Sequence, residues 1–99
     1  TDMVMALALM HHLVISNNVP FVRLAEWLSM ISRTLIIEFV PKNDPQVLRL
    51  LSYRKDIFAD YTRTSFEREF DKWFVTIKVS KINHSNRLLY LMQNRSNLR

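Results

Sequence analysis

Two adjacent imidazoles, His11 and His12, close an apolar run behind a single acid, Asp2-Met3-Val4-Met5-Ala6-Leu7-Ala8-Leu9-Met10-His11-His12-Leu13. An imidazole titrates near neutral pH, so such a pair suits general-base work, taking a proton from a hydroxyl or nitrogen nucleophile. The competing reading is structural, with one ring hydrogen-bonded to backbone at a strand end. A zinc site from His11, His12 and His84 is not expected, because neighbours on an extended strand point apart and no fourth ligand suggests itself. Two more polar groups flank the end of a second apolar run, Leu35-Ile36-Ile37-Glu38-Phe39-Val40-Pro41-Lys42. A carboxylate such as Glu38 is rarely buried without a partner or a task. Glu38 and Lys42 are therefore candidates for such a task, against the plainer alternative of a salt-bridged strand end. Asn17 is a third, although with Asn18 it also reads as a turn.

These groups need elements to hold them. Eight uninterrupted apolar residues, Met3 to Met10, read as a strand covered on both faces, a central strand that cannot be an edge. In open α/β sheets ligands sit at the carboxyl ends of such strands, which is the address of His11 and His12. Residues 14–20 form a connection. Phe21, Leu24, Ala25, Leu28 and Ile31 then recur at helical spacing from Pro20 to about Ser32, one face of an amphipathic helix with Trp27 at its border. The run from Leu35 to Val40 is a second buried strand. Asp44 and Pro45 fit the N-cap and first position of a helix reaching about Lys55. Residues 56–63 lack a period and read as an irregular connection with aromatic anchors. Thr64 and Glu67 fit a capping box for a short helix, Ser65 to Lys72, whose apolar side is Phe66, Phe70 and Trp73. From Phe74 to Ile82 the period becomes two, with Val75, Ile77 and Val79 on one face. Residues 83–86 are a turn and Arg87 to Met92 the returning strand. The predicted order is β-α-β-α-α-β-β in an α/β fold, with a C-terminal antiparallel hairpin. Residues 1–93 form the ordered unit and 94–99 a frayed tail.

Composition narrows the function classes. At 99 residues one small core is the ceiling. The absence of cysteine removes disulfides, thiolate metal sites and cysteine nucleophiles, and favours a cytoplasmic setting over a secreted one. The absence of glycine removes phosphate-binding and dinucleotide loops from this chain, and should pass positive-φ positions to Asn17, Asn18, Asn43, Asn83 and Asn86. No run reaches the roughly 20 apolar residues of a membrane span. The net charge of +5 permits contact with a polyanion. Its basic residues are spread evenly, however, and acids interrupt them until about residue 71, so a solvated basic surface is the simpler reading. Phe66, Phe70, Trp73 and Phe74 likewise fall at core spacing and do not suggest a base-stacking platform.

A central strand ending in a functional loop, a crossover helix, a second strand with an acid, a further helix and a terminal antiparallel hairpin resembles the C-terminal half of class I S-adenosylmethionine-dependent methyltransferases. The wording from Asp2 to Leu13 and Ser16-Asn17-Asn18-Val19-Pro20, then from Leu35 to Lys42 and Arg54-Lys55-Asp56-Ile57-Phe58, is similar to a bacterial, nodulation-related branch. The resemblance implies a partial Rossmann-like sheet, with His11 and His12 in the loop facing the methyl donor and Glu38, Lys42 and Asn17 on the acceptor side.

The resemblance also implies what is missing. The family's glycine-rich loop and the acid after its second strand, which hold the cofactor, would lie upstream of Thr1. The chain is thus expected to be part of a longer domain, to hold no S-adenosylmethionine tightly and to be inactive alone, the cofactor belonging to the full-length parent. The first strand, deprived of neighbours, is expected to pair with a second copy. The alternatives are a small basic nucleic-acid-binding module, resting on Lys78, Lys81, Arg87 and Arg95, and a non-catalytic structural dimer.

Overall fold

The computed structural model describes residues 2–7, 9–52 and 58–97. They form a mixed α/β unit around one four-stranded sheet. Strand β1 (Met3–Ala6) leads through a π-helical turn (His12–Ser16) into helix α1 (Phe21–Ile31) and strand β2 (Thr34–Phe39). Helices α2 (Pro45–Leu51) and α3 (Arg63–Asp71) follow, then strands β3 (Phe74–Lys81) and β4 (Leu88–Asn94) and a 3-10 turn (Arg95–Asn97). The strands lie in the order β1-β2-β4-β3. β1 runs parallel to β2, Met3 opposite Thr34 and Ala6 opposite Ile37, so α1 is a crossover helix. β4 is antiparallel to both neighbours, with Phe39 opposite Leu88 on one side and Lys81 opposite Leu88 on the other.

The first strand departs from expectation. Among the described residues of the apolar run β1 covers four, and it is the edge of the sheet with Met3 50% and Met5 59% exposed. Met, Leu and Ala favour helix, and Val4 is the one β-branched residue among them. A continuous apolar run does not by itself separate strand from helix. Here it divides, and the backbone is helical from Met10.

α1 follows its stripe, with Phe21, Leu24, Ala25 and Leu28 buried and Trp27 outside. Its C-terminal carbonyls are met by a residue of the predicted tail. Asn94 is buried and donates from Nδ2 to the carbonyls of Ser29 and Ser32 at 2.7 and 3.0 Å. Its Oδ1 in turn accepts from the Ser96 N–H at 3.0 Å. Asn94 is the last residue of β4, and it satisfies carbonyls that a helix end leaves orphaned.

α2 starts as predicted, with Asp44 accepting from the Gln46 N–H at 2.9 Å and Pro45 in its first turn. The predicted stretch of this helix beyond Ser52 runs into residues 53–57, outside those described. α3 begins two residues early. Its cap is Thr62, which accepts from the Ser65 N–H at 3.1 Å. Glu67 closes no box with Thr64 and instead accepts a 2.7 Å bond from the Tyr90 hydroxyl. Arg63 donates to that hydroxyl at 3.0 Å and to Glu67 at 3.2 Å.

The core is aromatic at its centre. Phe66 is fully buried, with ring centroids of Phe70, Tyr90, Phe39 and Phe21 at 4.6, 4.9, 5.3 and 5.8 Å. Phe70 and Phe74 are buried too, whereas Trp73 is 38% exposed. Tyr61 anchors the irregular connection by stacking on Phe39 and donating to the Val40 carbonyl. Burial there pushes its hydroxyl above the ordinary tyrosine range.

β3 does not present the predicted apolar face. A bulge between Thr76 and Lys78 breaks the alternation, and Ile77 and Val79 are exposed. The strand is the sheet's other edge, and a bulge is a common feature of edges. Of the asparagines expected at positive φ, Asn18 alone adopts it (56°), joined by His84 (63°).

Candidate functional site

The polar groups singled out from the sequence gather around the carboxyl ends of β1 and β2. β2 ends at Phe39, and the following loop carries Lys42 and Asp44 into α2. Because β4 is antiparallel to β2, Arg87 stands just beyond that same end. Its guanidinium grips Asp44 with two prongs, Nε to Oδ2 at 2.8 Å and a terminal nitrogen to Oδ1 at 3.2 Å. Its other terminal nitrogen lies 3.5 Å from Glu38. All three side chains are largely buried. The Arg87 hydrogen bonds hold the Asp44 carboxyl below its ordinary value, against the opposing effect of burial.

Glu38 therefore does find a buried partner, as a strand-end carboxylate must. That partner comes from the terminal hairpin. Lys42 donates from Nζ to the Phe58 carbonyl at 2.9 Å, tying the loop after β2 to the irregular connection. Sequence reasoning did not single out Asp44 or Arg87 as a pair. Asp44 was visible only as a cap and Arg87 only as one basic residue among many. The hairpin register that places Arg87 opposite the end of β2 is a nonlocal fact, and a buried acid lacking a local partner was its one sequence signal.

The two histidines are brought together and given different surroundings. They lie on the helical segment after β1, not on an extended strand, and their ring centroids are 4.3 Å apart. A strand would have sent them to opposite sides. His12 is exposed and His11 completely buried. Neither ring nitrogen of His11 has a hydrogen-bond partner, so it is not the backbone-bonded structural histidine of the plainer reading. The Gln46 side chain approaches closely enough to favour a protonated ring, but the geometry at both nitrogens is that of unsatisfied groups. Burial, followed by His12 and Arg87, pushes the His11 ring below its ordinary value of 6.5.

Asn17 ends the π-helical turn, its N–H bonded to the His12 carbonyl. Its exposed side chain leaves it a surface position beside the turn. Next to the Asp44–Arg87 pair lies a polar cleft of about 630 Å³, lined by Asn43, Gln46, Lys81, His84 and Ser85 among others. An apolar cleft of about 300 Å³ opens between Val14, Val19, Phe21, Phe58 and Tyr61. Among the described residues no group of three or more His, Cys, Asp or Glu could hold a metal ion. Of the basic residues of the hairpin, Arg87 is paired with Asp44, while Lys78, Lys81 and Arg95 are exposed, Arg95 donating to the Asp71 carbonyl at 2.6 Å. Among the described residues no helix is long and apolar enough to cross a membrane.

No family model matches the chain, and no solved structure matches it. Over 92 residues, 93% of its length, it is 39% identical to Nodulation protein NoeA of Rhizobium meliloti (strain 1021). The chain spans 19% of that protein, so what it resembles is one section of a much longer polypeptide.

Proposed function

We propose that the chain is the acceptor-side half of a class I S-adenosylmethionine-dependent methyltransferase domain, cytoplasmic and inactive by itself. The observation that carries this reading is the sheet: a parallel β1–β2 pair joined by a crossover helix, then a last strand running antiparallel. The polar groups cluster at the carboxyl ends of the parallel strands, where open α/β sheets place their ligands. Likeness to a nodulation protein fits the branch that the sequence resembles.

In this reading His12 is the group that meets the acceptor, taking a proton from its hydroxyl or nitrogen. His11 is buried and acts behind it. Glu38, Lys42 and Asn17 shape the acceptor side, Glu38 through Arg87. In the same reading the described residues are not those that hold the cofactor. Asp44 and Glu38 are both drawn onto Arg87, and the chain has no glycine for a loop that a cofactor's backbone contacts would need. S-adenosylmethionine would be held by residues outside this chain.

The exposed residues Met3, Met5, Leu7 and Leu9 on and after β1, with the strand's unpaired edge, favour association through that edge. Calorimetric titration of S-adenosylmethionine into the 99-residue chain is expected to show no saturable binding up to about millimolar ligand, a level corresponding to roughly 4 kcal/mol of affinity. Light scattering on the same sample should give the mass of a dimer. Micromolar binding by a monomer would overturn both parts of the proposal.

A further inference from the structure

We infer that His11 is a proton-operated latch on residues 10–17, holding this segment closed while its ring is neutral and opening it, together with His12, when the ring takes up a proton. His11 is wholly enclosed, yet both its nitrogens lack partners. A neutral ring tolerates this at modest cost, whereas a protonated one would bring a charge and two unmet donors into the same space.

The charged surroundings do not rescue the protonated form. On its own segment the ring faces His12 at 4.3 Å. From the start of β4 it feels Arg87, which repels a second positive charge, and α2 contributes only the uncharged Gln46. Asp44, in the loop before α2, is the one attracting group. Both of its oxygens are already engaged by Arg87. The same balance pushes the His11 ring below its ordinary value, burial being the largest cause.

The segment also departs from regular α-helix. It is a π-helical turn, closed by the Asn17 N–H on the His12 carbonyl and ended by Asn18 at φ 56°. Single π turns are rare and recur at functional sites. Met10, Val14 and Ile15 are buried in the core and keep the closed form in the majority. Protonation therefore raises the population of a minor open form. Because the folded ring resists the proton more than the unfolded one, the closed form has its full stability above about pH 6.5. It loses stability as the pH falls below that value.

Native-state hydrogen exchange on the 99-residue chain at about pH 7.5 and about pH 5, corrected for intrinsic exchange, brackets the ordinary histidine range. Opening of residues 12–17 should rise roughly tenfold or more at the lower pH, the scale set by an unsatisfied buried charge, while the β2 and β4 amides, which open only on global unfolding, stay better protected at both pH values. His11→Phe or His11→Leu should abolish the rise and His12→Gln should keep it. Equal protection at both pH values in the unmutated chain would overturn the latch, as would a rise that survives in a folded His11 variant. If neither His11 variant folds, NMR titration of the native rings decides. The exchange change must follow the His11 ring, and following any other group would overturn the inference. None of these readouts depends on methyl transfer.

Discussion

Replacing Arg87 with methionine is expected to cost about 3–5 kcal/mol of stability, because it takes from the buried Asp44 carboxylate the guanidinium that grips it and from Glu38 a charge partner. Asp44 and Glu38 are 7% and 9% exposed in their side chains, so solvent cannot take over the role of Arg87. Against a typical total of about 5–15 kcal/mol, a loss of this size takes the chain close to unfolding. Each kcal/mol corresponds to about 4–8 °C of Tm in a domain of this size. Part of the loss should return in the double variant Asp44→Asn, Arg87→Met, since asparagine can still cap α2 through the Gln46 N–H. Chemical denaturation of the single and double variants reads this directly, and a single variant as stable as the parent chain would show that the ion pair is idle.

The pair also fixes a pH dependence. Arg87 holds the folded Asp44 carboxyl below its ordinary value of 3.8. Its contribution is then complete above that value and is lost as the pH falls through the lower, folded one. Loss of the His11 contribution begins at higher pH, so stability should decline in two stages on acidification. The second should be weakened by removal of Arg87.

Phe66→Ala is the other large effect, expected at about 3–5 kcal/mol from lost transfer energy plus a cavity that rigid neighbours cannot close. Those neighbours come from different parts of the chain: Phe21 on α1, Phe39 on β2, Phe70 on α3 and Tyr90 on β4. One truncation therefore loosens both helices from the sheet. Denaturant titration should show the full loss for Phe66, whereas Trp73→Ala, at a position 38% exposed, should cost clearly less. Comparable losses at the two positions would argue against Phe66 as the centre of the core.

The sequence made its local signals plain and left its long-range ones hidden. The α1 stripe, the Asp44–Pro45 start of α2 and the tight turn before β4 each depend on residues within a few positions of one another, and all are found where their chemistry placed them. The Met3–Met10 run failed because Met, Leu and Ala in a buried context suit helix as well as strand. Thr62 and Thr64 could each have capped α3. The choice fell to Thr62, with Glu67 engaged by Tyr90 from β4. Nothing local marks the role of Asn94, because the carbonyls it caps, those of Ser29 and Ser32, lie far back in the chain.

For the candidate site the same division holds. His11, His12, Glu38 and Lys42 were recognisable by residue type and position. Their separation into an exposed ring, a buried ring and an acid held by Arg87 required the helical turn and the hairpin register.

The coding sequence upstream of Thr1 tests the central claim most directly, because it bears on the proposed cofactor-holding half without depending on how this chain behaves in isolation. The account expects the reading frame to continue into a glycine-rich strand–turn–helix, followed by a second strand ending in an acidic residue. An upstream frame without that pattern would contradict it and leave the sheet and its histidines to a different function.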